Sequence, residues 1–164
     1  MKTTISMAAL SFAFIASALT HVQAATAPNT SVVTQENLST AAAQQLAERA
    51  TEMARSRSMN ICIAVTDADG HLLAFTRMQG AYAGCIEASI AKAKSAARFA
   101  INTITFYDLA RKENLAIGTI PGILPAVGGV VVKHDSNVIG SVGISGATDL
   151  TEQKLAEDVA ATFR

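Results

Sequence analysis

Asn60-Ile61-Cys62-Ile63-Ala64-Val65-Thr66, then Asp67-Ala68-Asp69-Gly70, then His71-Leu72-Leu73-Ala74-Phe75-Thr76-Arg77 is the stretch whose reading decides the fold. In the first run Ile61, Ile63 and Val65 alternate with Cys62, Ala64 and Thr66, the period of two that sends successive side chains to opposite faces of a strand. The four turn-forming residues that follow end on glycine, which takes the positive φ a reversal needs. Two such runs joined by such a turn predict a β-hairpin.

Outward from this hairpin the period changes. Over Ala83–Ala100, Ile86, Ile90, Ala93 and Ala97 recur at helical spacing while Glu87, Lys94 and Arg98 fall on other sectors, and the many alanines predict close packing on a sheet. Upstream, Ser39 is placed to cap a helix over Thr40–Arg57 that buries Ala42, Leu46, Ala50 and Met53. Downstream, Thr105 caps a short helix over Phe106–Glu113. Val130–Lys133 and Val138–Ile144 form a second hairpin about His134-Asp135-Ser136-Asn137, with a short strand expected near Ile123–Leu124. Asp149 with Glu152 three residues on reads as a capping box for a last helix over Thr151–Phe163, with Leu155, Val159 and Phe163 inward. The order is α+β with a mostly antiparallel sheet, without the βαβ alternation of a dinucleotide-binding domain.

The chain of 164 residues is half apolar, and thirteen Lys+Arg balance thirteen Asp+Glu. One globular domain fits that length. The balance argues against a nucleic-acid partner, whose phosphates require clustered cations, and against an acidic disordered chain. Residues 1–24 have the order of a removable signal: Lys2, the uncharged stretch Ile5–Leu19, then Val22-Gln23-Ala24 with small residues at the cleavage spacing. The apolar stretch is shorter than the ~20 residues of a membrane span. We therefore expect cleavage after Ala24, a periplasmic or secreted product without a membrane span, a flexible tail over 25–37 and one domain over 38–164. Asn114–Val132 is also uncharged, but Gly118, Pro121, Gly122, Pro125, Gly128 and Gly129 would interrupt any helix there. It reads as a buried loop leading into a strand. Cys62 and Cys85 do not have CxxC spacing; they read as two buried thiols, with a disulfide as the alternative that export permits.

No strong catalytic constellation stands out. The expected mature chain offers His71 and His134 as imidazole bases, both in or beside hairpin turns, and no serine sits in a GxSxG elbow. A zinc site built from protein alone needs a cluster of His, Cys or carboxylate ligands, and no two His or Cys residues have helical i, i+4 spacing. Haem asks less, because the porphyrin supplies four nitrogens and the protein a single axial His, Tyr, Met or Cys. His71, Tyr82, Tyr107 and Met78 are candidates, His71 foremost, although a turn-end histidine is commonly no more than a surface residue. Gly140, Gly143 and Gly146 precede a helix N-terminus. They read either as packing glycines or, with the Ser145–Thr148 amides, as an anion cradle. Arg77 and Lys92 are candidate anion partners, each with the alternative of a solvated charge.

Taken in order, several blocks resemble the GlcG/HbpS family of haem-binding-like proteins, which includes the C-terminal domain of PduO-type proteins. They are Ala64–Met78 with Gly80-Ala81, Ile90–Ala96, Ile120-Pro121-Gly122, Gly128-Gly129-Val130 and Ile139–Gly146, and the resemblance spans nearly all of residues 38–163. Two blocks depart from it: Val131 stands where proline is usual, and Lys154 where aspartate often follows Glu-Gln. The resemblance implies a profilin-like α/β/α fold around a five-stranded antiparallel sheet, and homo-oligomers. It further implies haem or a related tetrapyrrole as a small-molecule ligand, held for storage, buffering or sensing. On that basis the Asn114–Val132 loop, with Thr119, Pro121 and Gly122, is expected to line a porphyrin groove, with Arg77 or Lys92 pairing a propionate, Met78 nearby and His71 approaching the iron. The rival reading is an enzyme or accessory acting on a small carboxylate of glycolate type, held by Arg77 and the glycine-rich turn.

Overall fold

The computed structural model describes residues 31 and 33–163, so the expected signal segment lies outside the described residues. The chain divides into two units, Met1–Val33 and Thr34–Arg164, and the second carries the fold. Its elements run α1 (Thr40–Ser56), β1 (Cys62–Asp67), β2 (Leu72–Arg77), α2 (Cys85–Phe99), α3 (Thr103–Lys112), a short 3-10 helix (Leu115–Thr119), β3 (Gly129–His134), β4 (Asn137–Ser145) and α4 (Asp149–Ala160). The four strands are antiparallel in the order β2-β1-β4-β3. Helices α1 and α4 pack on one face of the sheet and α2 on the other. Among the described residues no helix is long and apolar enough to cross a membrane.

Alternation along β1 places each side chain. Ile61, Ile63 and Val65 enter the main core with Val142 and Ile144 of β4, Leu46 and Ala50 of α1, and Leu155 and Val159 of α4. Cys62, Ala64 and Thr66 face α2: Thr66 Oγ1 lies 2.8 Å from Ser141 Oγ, which donates to the Ala93 carbonyl of α2 at 2.7 Å. The alanines and Gly143 let α2 lie almost against the sheet. A Cβ added to Gly143 would stand 2.6 Å from the Ala93 nitrogen and closer still to the Ser89 carbonyl.

Several local expectations change. Among the described residues the sheet has four strands rather than five. Ile123–Leu124 joins no ladder because its donors are spent elsewhere, Ile123 N–H on the Ile120 carbonyl and Leu124 N–H on Ser95 Oγ, and Pro125 has none. Helix α3 begins at Thr103, which leaves Thr105 inside it; Asn102 stands at its N-terminus, and its carboxamide oxygen accepts from Val131 N–H at 3.0 Å. Glu152 does not cap its own helix. Cys62 and Cys85 form a disulfide with a Cα–Cα distance of 5.4 Å, so the reading of two thiols gives way to its alternative. Ser39 caps α1 as expected, accepting from Ala42 N–H at 3.2 Å. Composition placed Glu36 and Asn37 in the tail, yet Glu36 contacts His134 at 3.2 Å and Asn37 accepts from Ala68 N–H at 3.0 Å.

Candidate functional site

The first group of predicted residues lies on β2 and its turn. Asp67 organises the turn: one carboxylate oxygen accepts from His71 N–H at 2.7 Å and Asp69 N–H at 3.0 Å, and the other lies 3.2 Å from His71 Nδ1. The imidazole is 72% exposed. Ligand atoms of Asp67, Asp69 and His71 lie within 4.8 Å of one another. Arg77 sends Nε and Nη2 to the Ala81 carbonyl at 3.1 and 2.7 Å, fastening the chain that leads from β2 to α2. Met78 packs against the main core. Leu72 and Phe75 pair with Thr66 and Ala64, so they share the α2 side of the sheet, yet they remain exposed at the β2 edge.

The second group lies across α2. Thr119, Pro121 and Gly122 are exposed on the loop after the 3-10 helix, where Thr119 Oγ1 donates to the Ala116 carbonyl and Gly122 (φ +89) sits over the Phe99 ring. Ser95 and Phe99 of α2 face this loop, whereas Lys94 and Arg98 face the β1–β2 turn at Gly70. The helix thus separates His71 and Arg77 from Thr119, Pro121 and Gly122. The structure does not bring the two groups into one site within a protomer.

Lys92 belongs to neither group. Its ammonium is buried, donating to Glu152 Oε2 at 2.5 Å and to the Ile144 carbonyl at 3.0 Å. Glu152 Oε1 accepts from Gly146 and Ala147 N–H at 2.7 and 2.9 Å. The amides expected to cradle an outside anion thus hold a carboxylate of the protein itself, and the lysine expected to meet an outside anion neutralises that same carboxylate. Gly128 (φ +96) closes over the pair, and its N–H donates to Gln153 Oε1 at 2.8 Å. Sequence reasoning missed Glu152 in this role. The available signal was a lysine on the buried face of an alanine-rich helix, since a buried charge requires a partner.

A further arrangement lies between α3 and the start of α4. Ile104, Tyr107, Asp108 and Arg111 of α3 face Thr148 and Leu150 across a groove of about 640 Å³. Arg111 stacks over the Tyr107 ring, its guanidinium carbon 5.0 Å from the centroid, and Nη1 donates to Tyr107 Oη at 2.8 Å. Leu150 is 72% exposed although it is a large aliphatic residue at a helix start. The groove combines the apolar Ile104 and Leu150 with a phenol oxygen, a guanidinium, the Asp108 carboxylate and the Thr148 hydroxyl. Tyr107 was legible as a ligand type; Arg111 was missed, although its i, i+4 spacing from Tyr107 puts both on one helical face.

Elsewhere, hydrogen bonds from His134 first and Asn137 second hold the Glu36 carboxyl below its ordinary range, and Glu36 in turn raises the His134 imidazole. Asp158 is lowered by hydrogen bonds from Lys154 and Arg57.

Comparison with known proteins bears on the family and the fold. A family model described as haem degrading protein HbpS-like matches residues 38–161. Protein GlcG of Escherichia coli K12 is 34% identical over 94 residues, which is 57% of this chain and 70% of that protein. Among solved structures, a double mutant of Streptomyces reticuli HbpS superimposes with a TM-score of 0.76 at 23% identity, covering 85% of this chain and 96% of that one. The PduOC:heme complex superimposes at 0.68 with 24% identity, covering 76% and 94%. At these identities the two structures establish the common fold.

Proposed function

The chain belongs to the HbpS-like family, and from that premise we propose that it binds haem or a related tetrapyrrole for storage, buffering or sensing. The observation that carries the reading is the groove between α3 and α4. Its volume of about 640 Å³ falls within the ~300–1,000 Å³ of ligand-sized sites. Ile104, Leu150 and the Tyr107 ring suit the apolar macrocycle, Arg111 supplies a cation for a tetrapyrrole carboxylate, and the Tyr107 oxygen supplies a donor for a bound iron. Titration of haem into the full chain should give a saturable Soret shift near one equivalent. A shift that grows linearly without saturation would refute the reading.

Two further elements belong to the proposal. Export is supported by the order of residues 1–24, and the processed protein should begin at Ala25 on N-terminal sequencing. Self-association is supported by Leu72 and Phe75, exposed on the edge strand β2, and sedimentation velocity reads it directly. The small-carboxylate alternative relied on Arg77 and the Ser145–Thr148 turn. Arg77 is engaged by the Ala81 carbonyl, and the Gly146 and Ala147 amides by Glu152.

A further inference from the structure

We propose that Tyr107 is the axial ligand of ferric haem in this protein and that Arg111 positions and neutralises its phenolate. The assignment rests on the haem-binding reading above and adds the atom that meets the metal. Four side chains entered as candidates, and their surroundings separate them. His71 stands on a solvent-exposed turn and is hydrogen-bonded to Asp67. Met78 is packed against the main core. Tyr82 is 57% exposed, close to the disulfide-bonded start of α2. Tyr107 lines a groove that also presents Ile104 and Leu150, apolar surface that a macrocycle stacked beside its ligand needs.

The second observation is Arg111. A phenolate bound to ferric iron is an anion next to a cationic centre, and haem proteins tune such a ligand through the groups that hydrogen-bond to it. Arg111 Nη1 already donates to Tyr107 Oη at 2.8 Å, and its stacking over the ring fixes the direction of the bond. Helical geometry sets this pairing, since residues four apart share one face. When the iron–oxygen bond forms, the phenol proton leaves to solvent and the guanidinium hydrogen bond remains on the oxygen. Leu150, whose exposure the packing of α4 does not explain, then gains a partner in the porphyrin edge.

The test compares resonance Raman spectra of the ferric haem complexes of the full chain and of Tyr107→Phe, Arg111→Lys, Arg111→Gln and His71→Ala, each checked for unchanged circular dichroism. Wild type should show iron-tyrosinate modes. Tyr107→Phe should lose them and bind ferric haem more than about tenfold less tightly, while His71→Ala keeps both. Arg111→Gln should keep the modes, shift their frequency and lose about 10–100-fold in affinity, as outer-shell partners of metal ligands do. Arg111→Lys should recover part of that loss. Saturable wild-type binding with a spectrum unchanged in Tyr107→Phe would overturn the ligand assignment and leave haem binding standing. Absence of saturable wild-type binding would overturn both.

Discussion

Replacing Lys92 with methionine should destabilise the fold more than any comparable change at a surface lysine. Methionine fills most of the same volume, so packing is nearly conserved and the change is mainly one of charge. The side chains of Lys92 and Glu152 are 8% and 5% exposed, and without Lys92 the carboxylate keeps the Gly146 and Ala147 amides but has no counter-charge. Breaking a buried pair by removing one partner costs about 3–5 kcal/mol. For a domain of this size that is a fall in Tm of roughly 10 °C or more. Glu152→Gln should cost a similar amount for a different reason. Its amide oxygen can face the two backbone donors or the ammonium, and in either orientation its NH2 group points at another donor. In Lys92→Met with Glu152→Gln that conflict disappears, so the double variant should be more stable than the summed single losses imply, by about 2 kcal/mol. Urea unfolding of the four proteins measures the cycle. A loss below about 1 kcal/mol for Lys92→Met, or additivity within about 0.5 kcal/mol, would refute the argument.

Three other perturbations follow from the same structure. Gly143→Ala should lose stability at or beyond the upper end of the ~1–3 kcal/mol of overpacking, because its methyl meets the backbone of α2 rather than a yielding side chain, and chemical denaturation checks this. Replacing both Cys62 and Cys85 with alanine should cost about 3 kcal/mol, the loop entropy of a crosslink spanning 23 residues, read as a lower unfolding midpoint than the oxidised protein and one insensitive to reductant. The Glu36–His134 contact should hold within a pH window. The lowered Glu36 contributes above its unfolded pKa and loses that contribution as pH falls through its folded value. The raised His134 contributes below its unfolded pKa and loses it as pH rises through its folded value. An NMR titration should place the His134 midpoint above that of an ordinary histidine, and Glu36→Gln or added salt should bring it down.

The β1–β2 hairpin was legible because alternation over Ile61–Val65 and the glycine-ended turn are local signals, and helix α2 because its period of 3.6 runs unbroken over four turns. What escaped was set by residues far apart in sequence. Lys92 and Glu152 are sixty positions apart, and local grammar assigned Glu152 to its own helix start. The disulfide depended on a Cα separation that sequence spacing does not encode. The expected fifth strand was an apolar run whose amides had nearer acceptors, on Ser95 and in the loop itself. At the candidate site the ligand types were readable, but their grouping was not, since the thickness of one helix divides residues that the family resemblance led us to expect in a single pocket.

Strand β4 pairs with β1 on one side and β3 on the other, although it comes last of the four described strands. A nascent chain that has emerged as far as His134 therefore contains the β1–β2 hairpin and most of the helices, but no central strand to join the hairpin to β3. Loop closure over some seventy residues, from β1 to β4, must precede the contacts that reward it, which places this domain among the slower folders of its size. Commitment to the native state is thus deferred until β4 has been made. Until then the apolar faces of α1 and α2 wait on a half-built sheet.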